Sequence, residues 1–336
     1  MKKKNQFLQT PFKLGNIELP SNVWCSPLAG WSDLPFRKMT AKSNPGLIFC
    51  EMVKMDALVR HDVNTYHILD FEKDTHPIGA QIVGSKPKLA GQAAKIIEDL
   101  GFDVVDLNCG CPVDKVTRGG GGSGLLKQPE LIAEILCEMV AAVNIPVTVK
   151  IRAGWDEGLI NSVLITELAE KAGAKAISVH GRTRKQAYKG PANWDYIRAC
   201  VEAANDIKVI GNGDVFDGPA AERMFIETGC DGVLVSRGTI GNPFLPEDIY
   251  RHLNGLEPLE RSFQDRCDVL LEHFHHCLEY QSEYKAVLAM RRLGIWYFKT
   301  AGVMKDFRRS ISKVNTREEA YQILKDHFDV EIPSAV

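Results

Sequence analysis

KVIGNGDVFDGPAAERMFIETGCDGVLVSRG, Lys208 to Gly238, contains one complete unit of the fold. The apolar run Lys208–Ile210 ends in Gly211-Asn212-Gly213-Asp214, and a helical stretch follows over Ala220–Thr228. Gly229 stands where that helix should stop, because glycine takes the left-handed turn past a helix C-terminus without penalty. A second apolar run, Gly232–Val235, then ends in Ser236-Arg237-Gly238. Strand, helix and strand within roughly 30 residues form a βαβ unit, whose two strands run parallel.

The same grammar recurs along the first two-thirds of the chain. It predicts strands at Val23–Gly30, Leu47–Met52, Pro77–Gly84, Val104–Gly110, Pro146–Arg152, Ala176–Arg182, Lys208–Asp214 and Gly232–Gly238. The clearest helices between them are Lys88–Leu100, Glu130–Val143, Val163–Ala172 and Ala220–Thr228, with Gly101 and Gly173 as further stops. Near-continuous apolar strands alternating with helices imply a parallel sheet covered by helices. Eight such units point to an α/β fold, a (β/α)8 TIM barrel, rather than a doubly wound open sheet. After Pro243-Phe244-Leu245-Pro246 the strands stop, and helices are expected at Asp265–Tyr280, Tyr284–Lys299 and Arg317–Phe328. The chain therefore reads as a catalytic barrel over 1–245 and a small all-helical domain over 246–336.

The composition is that of an ordinary soluble globular protein, with 45% hydrophobic and 25% charged residues. No apolar run approaches the roughly 20 residues of a membrane helix. MKKKNQFLQTPF has a basic start without an apolar core, so it does not read as a signal peptide. Nine scattered cysteines suggest reduced thiols and a cytoplasmic address. A monomer is the default expectation. The net charge of −2 hides a local imbalance. From Lys285 to Arg317 nine Lys or Arg stand against one Asp, an excess of +8. Lys285, Arg292 and Lys299 lie seven apart, on one helix stripe, and Trp296, Tyr297, Phe298 and Phe307 are interleaved. The aromatics read as core, and the charge reads as a surface for a nucleic-acid backbone.

In a barrel of this kind function collects at the C-terminal strand ends. Those ends carry Gln81, Asn108 with Cys111, Lys150 with Arg152, His180 with Arg182, Asn212 with Asp214, and Arg237. The loops at Asn212-Gly213-Asp214 and Ser236-Arg237 suit a phosphate held by backbone N–H groups. Lys150 has several open readings: a Schiff base, a phosphate contact, a cation beside an electron-rich ring, or a salt bridge. His180 reads as a proton carrier, a cofactor contact or a structural histidine. Cys109-Gly110-Cys111 has no second pair at metal spacing, and HFHHC, His273 with His275, His276 and Cys277, fits no zinc pattern and reads as a solvated helix face. No metal is expected. The run Gly119–Gly122 is not a Walker loop, since no Gly-Lys-Ser/Thr follows it. Cys109 should finish a strand and be packed. Cys111, before Pro112, should face the barrel mouth as a mostly protonated thiol.

Taken together, SPLAG, AQIVG, DLNCGCPVDKV with its glycine-rich segment, VTVKIRAGW, VHGRTRKQAYKGPANW, GNGDV, GVLVSRGTIGNP and AMRRLGIWYFKTAGVMKDFRRSI resemble the tRNA-dihydrouridine synthase family, in order and over nearly the whole chain. The bacterial branch is the most similar. Leu28 and Ser236 stand where that family commonly has Met and Gly.

The resemblance implies an FMN enzyme that reduces the C5–C6 double bond of uridines in tRNA, with NADPH as electron source. It implies that Pro27, Leu28 and Ala29 line the flavin, that Gln81 bonds its ring edge, and that Lys150 and His180 contact it. The backbone at Asn212, Gly213, Asp214, Ser236 and Arg237 would hold its phosphate, while Asn108 and Arg152 would read the uracil. The mechanism expected is hydride from flavin N5 to C6 and a proton from Cys111 to C5. Arg182, Arg118, Arg291, Arg292, Arg308 and Arg309 are further expected substrate contacts, and the glycine run is expected to leave the Cys111 loop mobile. Three rivals are a dihydroorotate- or dihydropyrimidine-type flavin oxidoreductase acting on free small molecules, a Schiff-base aldolase, and a non-catalytic RNA binder.

Overall fold

The computed structural model describes residues 7–299 and 302–331. The basic start Met1–Gln6, and Thr300-Ala301 within the helical motif, lie outside the described residues. Eight parallel strands close into a barrel: β1 Val23–Cys25, β2 Leu47–Phe49, β3 Ile78–Val83, β4 Val104–Cys109, β5 Val147–Arg152, β6 Ala176–His180, β7 Lys208–Asn212 and β8 Gly232–Val235. Closure is visible in the register. Cys25 of β1 pairs with Val235 of β8, and Ile48 of β2 pairs with Ile78 of β3. All eight expected strands are present; β5 ends at Arg152 as the sequence pattern suggested, and the other seven end one to five residues earlier.

Alternation along the strands divides the side chains into two layers. Val105, Leu107 and Cys109 of β4, and Val147, Val149 and Ile151 of β5, join the core between the barrel and its helices. Asp106 and Asn108, and Thr148, Lys150 and Arg152, take the alternate, inward positions. A hairpin that the sequence reading missed, Phe12–Leu14 with Ile17–Leu19, closes the lower end. Its Phe12, Leu14 and Leu19 are buried with Trp24, Leu47, Phe49, Val104, Ala176, Ile210 and Leu234. The N-terminal end is thus packed with apolar side chains, and only the C-terminal end is left for polar ones.

The helices are α1 Leu34–Ala41, α2 Met55–Val59 with a further short helix Val63–Ile68, α3 Pro87–Asp99, a single turn Asp114–Thr117 on the Cys111 loop, α4 Pro129–Ala142, α5 Ser162–Lys171, α6 Asp195–Ala203, α7 Gly218–Thr228 and α8 Leu245–Leu253. In the opening stretch, Asp217 caps α7 by accepting from the N–H of Ala220 (2.7 Å), and Gly229 ends it at φ 70°. Leu245, Ile249 and Leu253 of α8 are buried in the barrel's core. By packing, α8 belongs to the barrel, so we propose that the domain division falls after Leu253 rather than at 245.

Four more helices, α9 Phe263–Tyr280, α10 Glu283–Tyr297, α11 Lys305–Ile311 and α12 Arg317–His327, surround a separate core that includes Phe274, Met290, Phe298, Phe307 and Leu324. They rest on the barrel through α1 and α9, where the Phe36 and His273 rings meet at 6.3 Å and Lys42 pairs with Glu272. Among the described residues no helix is long and apolar enough to cross a membrane.

Candidate active site

The residues expected at the cofactor come together. Pro27, Leu28, Ala29, Gln81, Lys150, His180, Asn212, Gly213, Asp214, Ser236 and Arg237, with Asn108, Cys111 and Arg152, line one cleft of about 490 Å³. That volume is typical of a small-molecule or cofactor site.

Its floor is set by strand register. Gln81, Asp106 and Thr148 are partners across β3, β4 and β5, and Asn108 lies beside Lys150 one layer higher. Gln81 Nε2 donates to Asp106 Oδ2 (2.7 Å), and Thr148 Oγ1 donates to Asp106 Oδ1 (2.6 Å). Asn108 Nδ2 donates to Gln81 Oε1 (2.6 Å), while Asn108 Oδ1 accepts from the N–H groups of Gly110 (3.0 Å) and Cys111 (2.9 Å). Burial pushes the Asp106 carboxyl up to about 6, against the opposing effects of its hydrogen bonds and Lys150. Asp106 was not among the expected site residues. Its strand parity with Asn108 was the available signal.

The two cysteines separate at Gly110. Cys109 is fully buried in the outer core, and burial holds its thiol well above the ordinary range. Cys111 is half-buried in the cleft. Burial raises its pKa, with the Val113 backbone and the Arg152 charge acting in the opposite direction, so it is a neutral thiol at pH 7. The glycine run is more than slack. Gly122 is buried at φ 57°, and a Cβ there would lie 2.9 Å from the Cys111 carbonyl oxygen. That oxygen accepts from Ser123 N (3.0 Å) and Ser123 Oγ (2.9 Å). The loop is held at both ends by close packing, which corrects the expectation of a freely mobile segment.

Around this floor stands a ring of cations. Lys150 Nζ donates to Asn212 Oδ1 (3.0 Å), and Asn212 Nδ2 donates in turn to Leu234 O (2.6 Å) and Ser236 Oγ (3.0 Å). Burial, reinforced by the Arg152 charge, lowers the Lys150 pKa to about 8. Burial and then the charges of Lys150, Arg152, Arg182 and Arg237 keep His180 neutral, and its Nε2 accepts from Arg182 Nη1 (3.3 Å). The backbone N–H groups of Gly213, Asp214, Arg237 and Gly238 donate to no described residue. Open N–H groups beside Arg237 are the equipment of an anion site.

One expected substrate contact, Arg182, is turned inward by its bonding, and two others, Arg291 and Arg308, are partly engaged within their own domain. Arg182 is buried and fully engaged with Gly190 O (2.6 Å), His180 and both Asp214 oxygens (2.7 and 2.9 Å), so it braces the anion loop instead of meeting substrate. Arg291 holds Val314 O (2.6 Å) and Asn315 Oδ1 (2.8 Å), and Arg308 holds Phe298 O (2.8 Å) and Lys299 O (2.6 Å). Asn108 commits its oxygen to the Cys111 loop. Arg152 commits Nε to Gly110 O (2.9 Å) and Nη1 to Thr183 O (3.0 Å) and Ala187 O (2.8 Å), leaving Nη2 for a ligand. Arg118 and Arg309 are exposed, the former on the loop tip beyond Cys111.

The helical domain reaches the cleft by an aromatic contact. Tyr297, Phe298 and Phe307 are core residues, as expected, but Trp296 lines the cleft and meets Trp31 edge-on at 5.8 Å. Arg292 lies 4.8 Å over the Trp31 ring and Lys299 lies 4.0 Å over Trp296. The exposed stripe of Lys285, Arg292 and Lys299 therefore runs to the mouth. Tyr188 and Phe216, beneath the Arg237 guanidinium, complete a rim that the sequence reading missed. The HFHHC stretch is not a solvated face. His273 and Cys277 are buried one turn apart, and His273 bonds Tyr297 Oη (3.1 Å).

Comparison with known proteins agrees with this geometry. The sequence model of the dihydrouridine synthase (Dus) family matches residues 24–333. The chain is 37% identical to a probable tRNA-dihydrouridine synthase of Rickettsia conorii, over 90% of this chain and 92% of that protein. It is 36% identical to probable tRNA-dihydrouridine synthase 1 of Synechocystis, over 97% and 90%. It is 34% identical to tRNA-dihydrouridine synthase B of Vibrio cholerae, over 94% and 98%. Among solved structures, morphinone reductase is similar in fold, with a TM-score of 0.55 at 15% identity, over 79% of this chain and 94% of that one.

Proposed function

The chain belongs to the dihydrouridine synthase family of oxidoreductases, and from that premise we propose that it reduces the C5–C6 double bond of particular uridines in tRNA, with FMN as its flavin, NADPH as electron source, and the cytoplasm as its place of work as a monomer. The observation that carries this reading is the neutral thiol of Cys111 sharing one cleft with Lys150 and an open set of backbone N–H groups.

The residues fit a flavin mononucleotide. The N–H groups of Gly213, Asp214 and Arg237 suit its phosphate, Gln81 and Lys150 stand on the floor for its ring, and Pro27, Leu28 and Ala29 supply the wall. FMN, when bound, supplies the hydride for C6. Lys150 provides positive charge where the ring system gains electrons. Cys111 holds a proton on Sγ, ready for C5, and a positioned general acid of this kind accelerates proton transfer by about 10²–10⁴-fold. Arg152, through Nη2, is free to bond a uracil carbonyl. The rim of Trp31 and Trp296 walls off one side of the cleft. The target base must leave its stack to enter it, and the stripe of Lys285, Arg292 and Lys299 suits the flanking phosphates.

The test uses purified protein, an unmodified tRNA transcript and NADPH. Flavin absorbance and dihydrouridine in the digested transcript are expected, with no turnover of free uridine or dihydroorotate. A colourless protein that cannot be reconstituted with FMN, or one that turns over dihydroorotate and leaves the transcript unchanged, reverses the reading.

A further inference from the structure

We propose that Asp106 is a positioning residue, the foot of a hydrogen-bond relay that fixes the backbone of the loop carrying Cys111. The proposal deepens the reading of Cys111 as the proton donor and rests on it for its functional meaning.

The relay has a polarity imposed from both ends. At the top, the N–H groups of Gly110 and Cys111 can only donate, so Asn108 must turn its Oδ1 to them. The Asn108 Nδ2 is then left to donate, and it meets Gln81 Oε1 at 2.6 Å. Gln81 must in turn present Nε2 downward, and it needs an acceptor there. The ionised Asp106 carboxylate is an acceptor and nothing else, at 2.7 Å. Thr148 Oγ1 occupies the other carboxylate oxygen at 2.6 Å, so the carboxylate cannot swing away. Each carboxamide is held in one of its two orientations by the next.

The strand register makes the arrangement possible. Gln81 and Asp106 are direct partners, and Asn108 follows Asp106 on the same inward face. Among the described residues nothing else bonds the Cys111 N–H, and on the other side Ser123 holds the Cys111 carbonyl. A buried carboxyl is expensive to keep in a barrel interior, and burial raises its pKa to about 6. Above that pH it is the acceptor the relay requires. Among the described residues, Lys150 is the charged side chain that acts on it. A second consequence concerns the cofactor. With Oε1 engaged by Asn108, Gln81 offers the cleft its remaining Nε2 hydrogen, a donor to the flavin edge.

The experiment compares Asp106→Leu, which removes the acceptor, with Asp106→Asn. In the latter a carboxamide oxygen can still accept from Gln81 while Nδ2 turns to Thr148. Alkylation of Cys111 by iodoacetamide is followed by peptide mass in the flavin-loaded protein, with exposed Cys137 as internal reference. Asp106→Leu should raise the Cys111 rate about fivefold or more, the worth of one lost hydrogen bond, and lower kcat on tRNA by about tenfold or more with KM little changed. Asp106→Asn should keep Cys111 alkylation within about twofold of wild type. If Asp106→Leu does not fold, Gln81→Leu breaks the relay one step higher and should release Cys111 in the same way. Wild-type alkylation in Asp106→Leu, or in Gln81→Leu, overturns the proposal. The alkylation readout does not depend on whether Cys111 delivers a proton. Released alkylation with undiminished turnover would leave the relay standing and remove the catalytic reading of Cys111.

Discussion

Replacing Gly122 by alanine tests whether the glycine run supplies slack or close packing. An alanine at φ 57° sits in the left-handed region, at a cost of about 1–2 kcal/mol. Its Cβ would meet the Cys111 carbonyl oxygen and Val116 Cγ1, each at 2.9 Å, and Cys111 Cβ at 3.2 Å. Forcing a methyl into such a space adds about 1–3 kcal/mol. The combined loss is about 2–5 kcal/mol, and relief requires the Cys111 carbonyl to move off Ser123. Gly119 is the control. It is exposed, and a Cβ there would have only Val116 O at 3.5 Å, an ordinary contact. Gly119→Ala should therefore be neutral or stabilise by up to about 1 kcal/mol, since alanine restricts the unfolded chain. The assays are urea denaturation followed by tryptophan fluorescence, and dihydrouridine formation on a tRNA transcript. Gly122→Ala should lose stability and turnover, on the order of 10²-fold if Cys111 is displaced by about 1 Å. Gly119→Ala should lose neither. Equal effects at both positions, or full turnover in Gly122→Ala, would refute the packing account.

Two further outcomes follow from the charges. Burial lowers Lys150 from 10.5 to about 8, so in the flavin-free protein its charged form carries a penalty of about 3 kcal/mol below pH 8 that fades as pH rises toward 10.5. Lys150→Met lacks that penalty. Its stability relative to wild type should be more favourable at pH 7 than at pH 10, and an unchanged difference in urea midpoint would contradict the burial argument. Replacing Lys285, Arg292 and Lys299 together by alanine should weaken tRNA binding and reduce its salt slope by about one per lost phosphate contact, with the thermal midpoint little changed. Arg291→Ala and Arg308→Ala should instead lower the thermal midpoint, because these side chains hold backbone carbonyls of their own domain.

Much of this molecule was legible before its structure. Short, near-continuous apolar runs and glycine stops located all eight barrel strands, because parallel strands buried on both faces leave such a run. The expected end of that strand near Cys109 separated it from Cys111, which the sequence places on the loop before Pro112. The bottom hairpin escaped, because Phe12–Leu14 and Ile17–Leu19 are too short to carry a pattern. The division of domains was set at 245 because the strand pattern stops after Pro243-Phe244-Leu245-Pro246; the packing of Leu245, Ile249 and Leu253 on the barrel supports the later division proposed after Leu253. The arginines show the clearest limit. Charge counting treats Arg182, Arg291, Arg292 and Arg308 alike. Only three-dimensional contacts reveal that Arg182 serves Asp214, that Arg291 and Arg308 brace their own loops, and that Arg292 leans over Trp31. Asp106 was passed over because a carboxylate in a β-strand reads as an interruption until its neighbours in register are known.

The central claim is that Cys111, and not Cys109, is the acid of an enzyme that reduces uridine in tRNA. It is tested most directly by mixing NADPH-reduced, flavin-loaded Cys111→Ala and Cys109→Ala with one equivalent of tRNA transcript and timing dihydrouridine formation. Both variants should bind FMN and accept electrons from NADPH. Cys111→Ala should form dihydrouridine about 10²–10⁴-fold more slowly than wild type, and Cys109→Ala should remain within a few-fold. Equal losses in the two variants, or a wild-type rate in Cys111→Ala, would contradict the account.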